Sequence, residues 1–271
     1  MAIKDSPFGK NIYSNEIKSD LKTFYNSITE QLNETAFANY ARFLNYGYLP
    51  NENEQHAVVE LPKYTLNRNH INLILETIGT CDLAQRTVLD VGCGRGGTIS
   101  VMADYFQPKQ LVGMDLSANA IAFCKRNYSY PHADFVPGDA EQLPFEEATF
   151  DAVSNIESSH CYPNISSFYE EVKRVLKPGG YFLYTDLLPS AKLTNYILYL
   201  LSLGFTVEDE RDITPNVLLS CDEMAAKNKT AFQQENDADI MNNFLAVPGS
   251  DVYESMKQGR SKYVLFRLKR S

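Results

Sequence analysis

The chain has 271 residues and a formal net charge of −9 at neutral pH. That length suits one α/β domain with additions, and the acidity, with no extended Lys/Arg stripe, argues against a nucleic-acid substrate. No apolar run reaches membrane-spanning length and no signal-peptide pattern precedes the polar start, while five scattered cysteines without C-x-x-C spacing suit a reducing cytoplasm and argue against disulfides or a metal site.

Residues 1 to about 75 carry helical patterns, at 17–25 and 34–42, and no strand signal of comparable quality. From about residue 85 to 186 short β-branched runs alternate with helical windows, which predicts βαβ units and a mostly parallel sheet with helices on both faces. The first run, residues 87–91, stops at Asp90 and the glycines Gly92, Gly94, Gly96 and Gly97, after which helical potential resumes. Strand, glycine-rich turn and helix N-terminus let backbone approach a ligand without Cβ clashes. A pyrophosphate would want G-x-G-x-x-G. Here an acid stands two residues before Gly92, and that carboxylate suits a cationic ligand such as a sulfonium or an α-ammonium group.

Further strand windows follow at 110–115, 150–156 and 181–186, and residues 135–140 read as the end of another. Ser117 is placed to cap a helix over 118–127, and 165–176 supplies another. After Pro189 an apolar helix is expected over 193–203, closed by Gly204, with strands at 205–213 and 262–268. Arg267, Lys269 and Arg270 form the one basic cluster and read as a solvated chain end.

With Asp90-Val-Gly-Cys-Gly94, Asp115-Leu116, Gly138-Asp139-Ala140, Asn155-Ile156 and Lys177-Pro-Gly-Gly180 in order, the chain resembles the class I S-adenosylmethionine-dependent methyltransferases. The resemblance implies a Rossmann-like, seven-stranded sheet ending in an antiparallel pair, an N-terminal helical lid (1–75) on a cofactor-binding core (76–271), and a cap inserted at about 215–259. It implies S-adenosylmethionine as methyl donor. Asp90, Gly92, Cys93 and Gly94 would meet its methionine end, Asp115 and Leu116 the ribose, and Asp139 and Ala140 the adenine. Asn155 and Ile156 would face the cofactor. Tyr40, Tyr46 and Tyr48 are candidates for a lid over it, and Tyr46 is taken as a cofactor contact.

Glu157-Ser-Ser-His-Cys-Tyr-Pro163 after the fourth strand is similar to the corresponding segment of O-methyltransferases of polyketide lipids and natural products, including phthiotriol dimycocerosate and microcystin-type tailoring enzymes. The ends of central strands form the ligand crevice of such sheets, and His160 lies just past one. A histidine there can accept the proton of an attacking alcohol, and Asp186, expected on the neighbouring strand, can orient the ring. The bland alternatives are a histidine that only bonds its own loop and a solvated or helix-capping acid. Tyr196 and Tyr199 read as a substrate channel or a dimer contact. The function expected is O-methylation of a small hydroxylated acceptor. Methylation at carbon and non-catalytic cofactor binding are the alternatives, and the oligomeric state is left open.

Overall fold

A computed structural model describes residues 14–34, 38, 41–51, 59–227 and 242–271. After helix α1 (Ser14–Glu34) and helix α2 (Arg68–Ile78), strands and helices alternate: β1 (Thr87–Val91), α3 (Gly97–Tyr105), β2 (Gln110–Asp115), α4 (Ala118–Asn127), β3 (Ala133–Pro137), β4 (Phe150–Ile156), α5 (Ile165–Val175) and β5 (Leu176–Pro189). The chain continues through α6 (Leu193–Ser202), β6 (Phe205–Asp212), α7 (Thr214–Lys227), α8 (Asp251–Lys257) and β7 (Ser261–Arg270). The strands form one seven-stranded sheet in the order β3-β2-β1-β4-β5-β7-β6. β7 runs antiparallel between β5 and β6, and the other pairs are parallel. This is the Rossmann-like arrangement expected.

Burial explains the sequence pattern. Val88 to Val91 are covered on both sheet faces, so β1 reads as an unbroken run rather than an alternation. In α5 the buried positions Ile165, Phe168, Tyr169, Val172 and Val175 follow helical spacing and pack with Phe182 and Tyr184 of β5 under one face of the sheet. The other face is covered by α2 and α3 through Leu73, Ile74, Ile99 and Met102. Ser117 caps α4 as expected, accepting from the Ala120 N–H at 3.1 Å.

Residues 177–180 bulge out of β5 between Leu176, which pairs with Phe150, and Tyr181, which pairs with Ala152, with Gly179 at a positive φ of 76°. Three expectations are corrected. The basic end is not a free tail: Arg267 is mostly buried in β7, paired with Asp209 and bonded to the Thr77 carbonyl at 3.1 Å. Tyr196 and Tyr199 are core residues of α6. Tyr196 packs edge-on against Tyr169, and Tyr199 donates to Glu170 at 2.5 Å. Tyr48 is buried against α2, its N–H bonded to the Asn69 carbonyl at 2.8 Å, and is no lid. Tyr40 lies outside the described residues, as do residues 228–241 of the expected cap. Among the described residues no helix is long and apolar enough to cross a membrane.

Candidate active site

At the carboxyl ends of β1, β2 and β4 a cavity opens that encloses about 1240 Å³ of non-atom space, part of it continuous with solvent. Its floor is the loop after β1. Gly92, Gly94 and Gly96 all have positive φ, of 74°, 50° and 78°. At Gly92 a Cβ would also collide with the Ser158 side chain, so the loop requires glycine there for two reasons. The N–H groups of Gly92 and Cys93 donate to the Met114 carbonyl at 2.8 and 2.9 Å. Gly94 N–H donates to Asp115 Oδ2 at 2.8 Å, and Ser117 N–H to Oδ1 at 2.8 Å. The Leu116 N–H also reaches this carboxylate, and three donors against four lone pairs leave Asp115 with acceptor capacity to spare. Burial raises the Asp115 pKa despite those donors.

Gly92, Cys93, Gly94, Asp115 and Leu116 line one stretch of this cavity. Asp139, Ala140, Ile156, Tyr46 and His160 line the rest of what the sequence singled out. Asp139 is not left open, because Lys18 of α1 reaches it and Glu141, both at 2.7 Å.

Asp90 and Asn155 stand behind the lining. Asn155 was expected to face the cofactor, but it points into the sheet and donates to the Val91 carbonyl at 2.8 Å and to Tyr162 at 3.1 Å. The alternation of a strand sends it and Ile156 to opposite sides, and Ile156 takes the cavity. Asp90 is buried with Oδ1 accepting from Ser154 Oγ at 2.6 Å, while Oδ2 has no partner among the described residues. Burial pushes its pKa up to about 7.

His160 and Asp186 are brought together across the β4–β5 pair. His160 sits in the 3-10 turn Ser159–Cys161 after β4, with its Nδ1 2.6 Å from Asp186 Oδ1. Asp186 is fully buried and also accepts from Leu187 N–H at 2.8 Å, Ser159 Oγ at 2.6 Å and His160 N–H at 3.1 Å. Burial disfavours the charged imidazole, but Asp186 and the Cys161 sulfur outweigh it and hold the His160 pKa well above the usual value. Nδ1 is committed to Asp186 and the Cys161 side chain also bonds the ring, so Nε2 is the nitrogen that a ligand could meet beside the Cys161 sulfur.

Sequence reasoning missed two residues of this site. Glu157 lines the cavity beside His160 with a positive φ of 53°. Its Oε2 accepts from Tyr46 N–H at 2.8 Å and from the Tyr263 hydroxyl of β7. Burial raises its pKa to about 8. The acid three residues before the histidine, in an acid-hydroxyl-hydroxyl-histidine run, was the available signal. Arg95 is the other. It is completely buried and donates to the carbonyls of Ala41 (2.6 Å), Ala38 (2.8 Å) and Thr29 (3.3 Å) and to Asn33 Oδ1 (2.9 Å). Thus a glycine-loop side chain clasps α1 and the segment after it.

A family model described as a methyltransferase domain matches residues 89–184. The chain is 39% identical over 190 residues to the probable phthiotriol/phenolphthiotriol dimycocerosates methyltransferase 2 of Mycobacterium ulcerans, covering 69% of this chain and 72% of that one. It is 35% identical to a fatty-acid O-methyltransferase of Mycolicibacterium smegmatis, covering 83% and 81%. A geranyl diphosphate methyltransferase in complex with GPP and sinefungin shares the fold at a TM-score of 0.69 and 21% identity, over 94% of this chain and all of that one. So does the [4+2]-cyclase SpnF, at 0.69 and 20% identity over 93% and 96%, so the fold alone does not specify the chemistry. Relatives of this similarity and coverage, together with the glycine loop, Asp115 and the sheet order, establish that the chain belongs to the class I S-adenosylmethionine-dependent methyltransferases.

Proposed function

We propose that this enzyme methylates an oxygen of a small, lipid-like, hydroxylated acceptor, with His160 as the group that receives the acceptor's proton. The observation that carries this reading is the His160–Asp186 pair at 2.6 Å, opening onto the same cavity as the glycine loop. The residues fit the methyl donor. A loop that excludes Cβ atoms and the two backbone-anchored oxygens of Asp115 suit a ligand that bears a diol and lies close against the backbone. When bound, that donor supplies a methyl group already activated by sulfonium charge. Asp115 and Leu116 would hold its ribose, Asp139 and Ala140 its adenine, and Gly92, Cys93 and Gly94 its methionine end. Asp90 supports the latter from behind, and Tyr46 borders it. Asn155 acts at one remove, by holding Tyr162 and the end of β1.

What remains for the protein is alignment of the acceptor oxygen at about 3 Å, exclusion of water and removal of a proton. Neutral His160 accepts that proton at Nε2, and Asp186 stabilises the imidazolium formed. Residues from α1 (Lys18, Leu21, Tyr25) and Phe244, between α7 and α8, border the cavity, which supports the lid over 1–75 and a cap within 215–259 on the core 76–271. The names of the relatives, a lipid triol-type and a fatty-acid methyltransferase, support a lipid-like acceptor. The net charge of −9 disfavours docking of an acidic carrier protein, which supports a free acceptor.

The test is His160→Ala with labelled methyl donor and a hydroxylated lipid. Turnover should fall by about 10²–10⁴-fold with cofactor affinity nearly unchanged. An equal loss of cofactor binding would make His160 part of the cofactor shell, and a product methylated at carbon would refute transfer to oxygen.

A further inference from the structure

We infer that Glu157 is a hydrogen-bond donor to the acceptor, and that the acceptor therefore carries a carbonyl-type oxygen beside the oxygen that is methylated. The inference rests on the oxygen-transfer reading and adds a substrate class to it. Three observations on Glu157 support it. Glu157 borders the cavity and lies close enough to His160 to feel its charge. Both donors that reach it, Tyr46 N–H and Tyr263 O–H, converge on Oε2. The other oxygen, Oε1, accepts no hydrogen bond among the described residues and is not sealed from the cavity.

The direction of the missing bond follows from chemistry. A carboxyl whose Oε2 is engaged by two donors carries its proton, when it has one, on Oε1. The groups around it favour the protonated form on balance. Burial is the largest influence and Asp186 adds to it, while Tyr263, the Tyr46 N–H and His160 work the other way, giving a value of about 8. Cys221 of α7 is also close enough to feel the carboxylate. With both donors on Oε2, the protonated carboxyl presents its O–H to the cavity at Oε1. An O–H donor wants an oxygen with lone pairs, and a buried donor left without one is penalised. Residues rarely adopt φ near +50° without cause. The turn that aims Glu157 inward is tied by its own N–H to the Thr185 carbonyl at 2.8 Å.

Two acceptor types supply such an oxygen: the carboxylate of a long-chain acid, or a hydroxyl placed beside an ester or ketone carbonyl. In either case the new O–CH₃ bond forms as the S–CH₃ bond breaks, with its electron pair left on sulfur. A hydroxyl passes its proton to His160, whereas a carboxylate has none to release.

Binding of oleate, of a long-chain 3-hydroxy fatty acid methyl ester and of oleyl alcohol would be measured by calorimetry with S-adenosylhomocysteine present, alongside methyl transfer to each from S-adenosylmethionine. For the wild type, oleate or the hydroxy ester should bind about 10-fold or more tighter than oleyl alcohol, and which of them is methylated identifies the source of the carbonyl-type oxygen. Glu157→Gln, which keeps an N–H donor, should retain most of that preference. Glu157→Ala should abolish it. Unchanged S-adenosylhomocysteine affinity in both variants would show that they fold. Oleyl alcohol binding as tightly as the others, or Gln behaving like Ala, would overturn the inference. Discriminating binding with no transfer to oxygen in any of the three would instead sink the oxygen-transfer reading and leave Glu157 as a recognition group.

Discussion

Replacing Asp186 by asparagine removes one charge from a buried, fully hydrogen-bonded polar cluster and changes almost no volume. The carboxylate is fully buried and accepts four hydrogen bonds, two on each oxygen: His160 Nδ1 and Leu187 N–H on Oδ1, Ser159 Oγ and His160 N–H on Oδ2. An amide has only one acceptor oxygen. If that oxygen keeps the His160 ring and Leu187, the NH₂ faces Ser159, which can turn to accept, and the His160 N–H, which cannot. One stranded donor costs about 1–3 kcal/mol and the lost charge assistance about 1 more, so the variant should be about 2–4 kcal/mol less stable near pH 6. The His160 pKa is raised in the folded state. The pair's contribution is therefore fully present below the ordinary histidine pKa of about 6.5 and lost as pH rises through the raised folded value. The stability gap between wild type and variant should narrow on the alkaline side. For catalysis the same logic gives a rate that climbs with pH as His160 becomes neutral, and in Asp186→Asn this limb should move to lower pH while the plateau falls by about 10²-fold or more. Urea unfolding at several pH values and a turnover profile read both effects. A variant with the wild-type pH limb would show that Asp186 does not control the imidazole.

Asp115→Ala should lose S-adenosylmethionine and S-adenosylhomocysteine binding by calorimetry, roughly 100-fold for two diol hydrogen bonds to a charged group, with the fold intact by circular dichroism. Retained affinity would misplace the ribose. Asp90 has a raised folded pKa, so its ionisation costs stability: Asp90→Asn should gain on wild type as pH rises from about 4 to about 7, by at most roughly 4 kcal/mol without cofactor. A gap that does not change with pH would contradict the burial argument. Arg95→Lys cannot reproduce the fork that holds three carbonyls and Asn33 at once, so it should destabilise by about 2–4 kcal/mol and expose α1 to proteolysis before the core. Simultaneous cleavage of both would mean that Arg95 does not clasp the helix.

What could be read along the chain was whatever depends on near neighbours. The β1 loop is legible because its glycines answer to local φ angles, Ser117 because a cap bonds three residues ahead, and α5 because its buried face recurs at helical spacing. Even the His160–Asp186 pair could be anticipated, since consecutive strands of a doubly wound sheet place their ends side by side. Tertiary contact decided the remainder. Asn155 and Ile156 are adjacent in sequence, and only the sheet's orientation determines which meets the cavity. Glu157 looks like any loop acid until Tyr263, 106 residues away, arrives on β7 and donates to its Oε2. Arg95 reads as a solvated charge in a glycine loop, and becomes the clasp of α1 because distant carbonyls need donors and water is excluded. The charge state and hydrogen-bond partners of a buried polar group depend on everything folded around it, and local sequence carries no record of those surroundings.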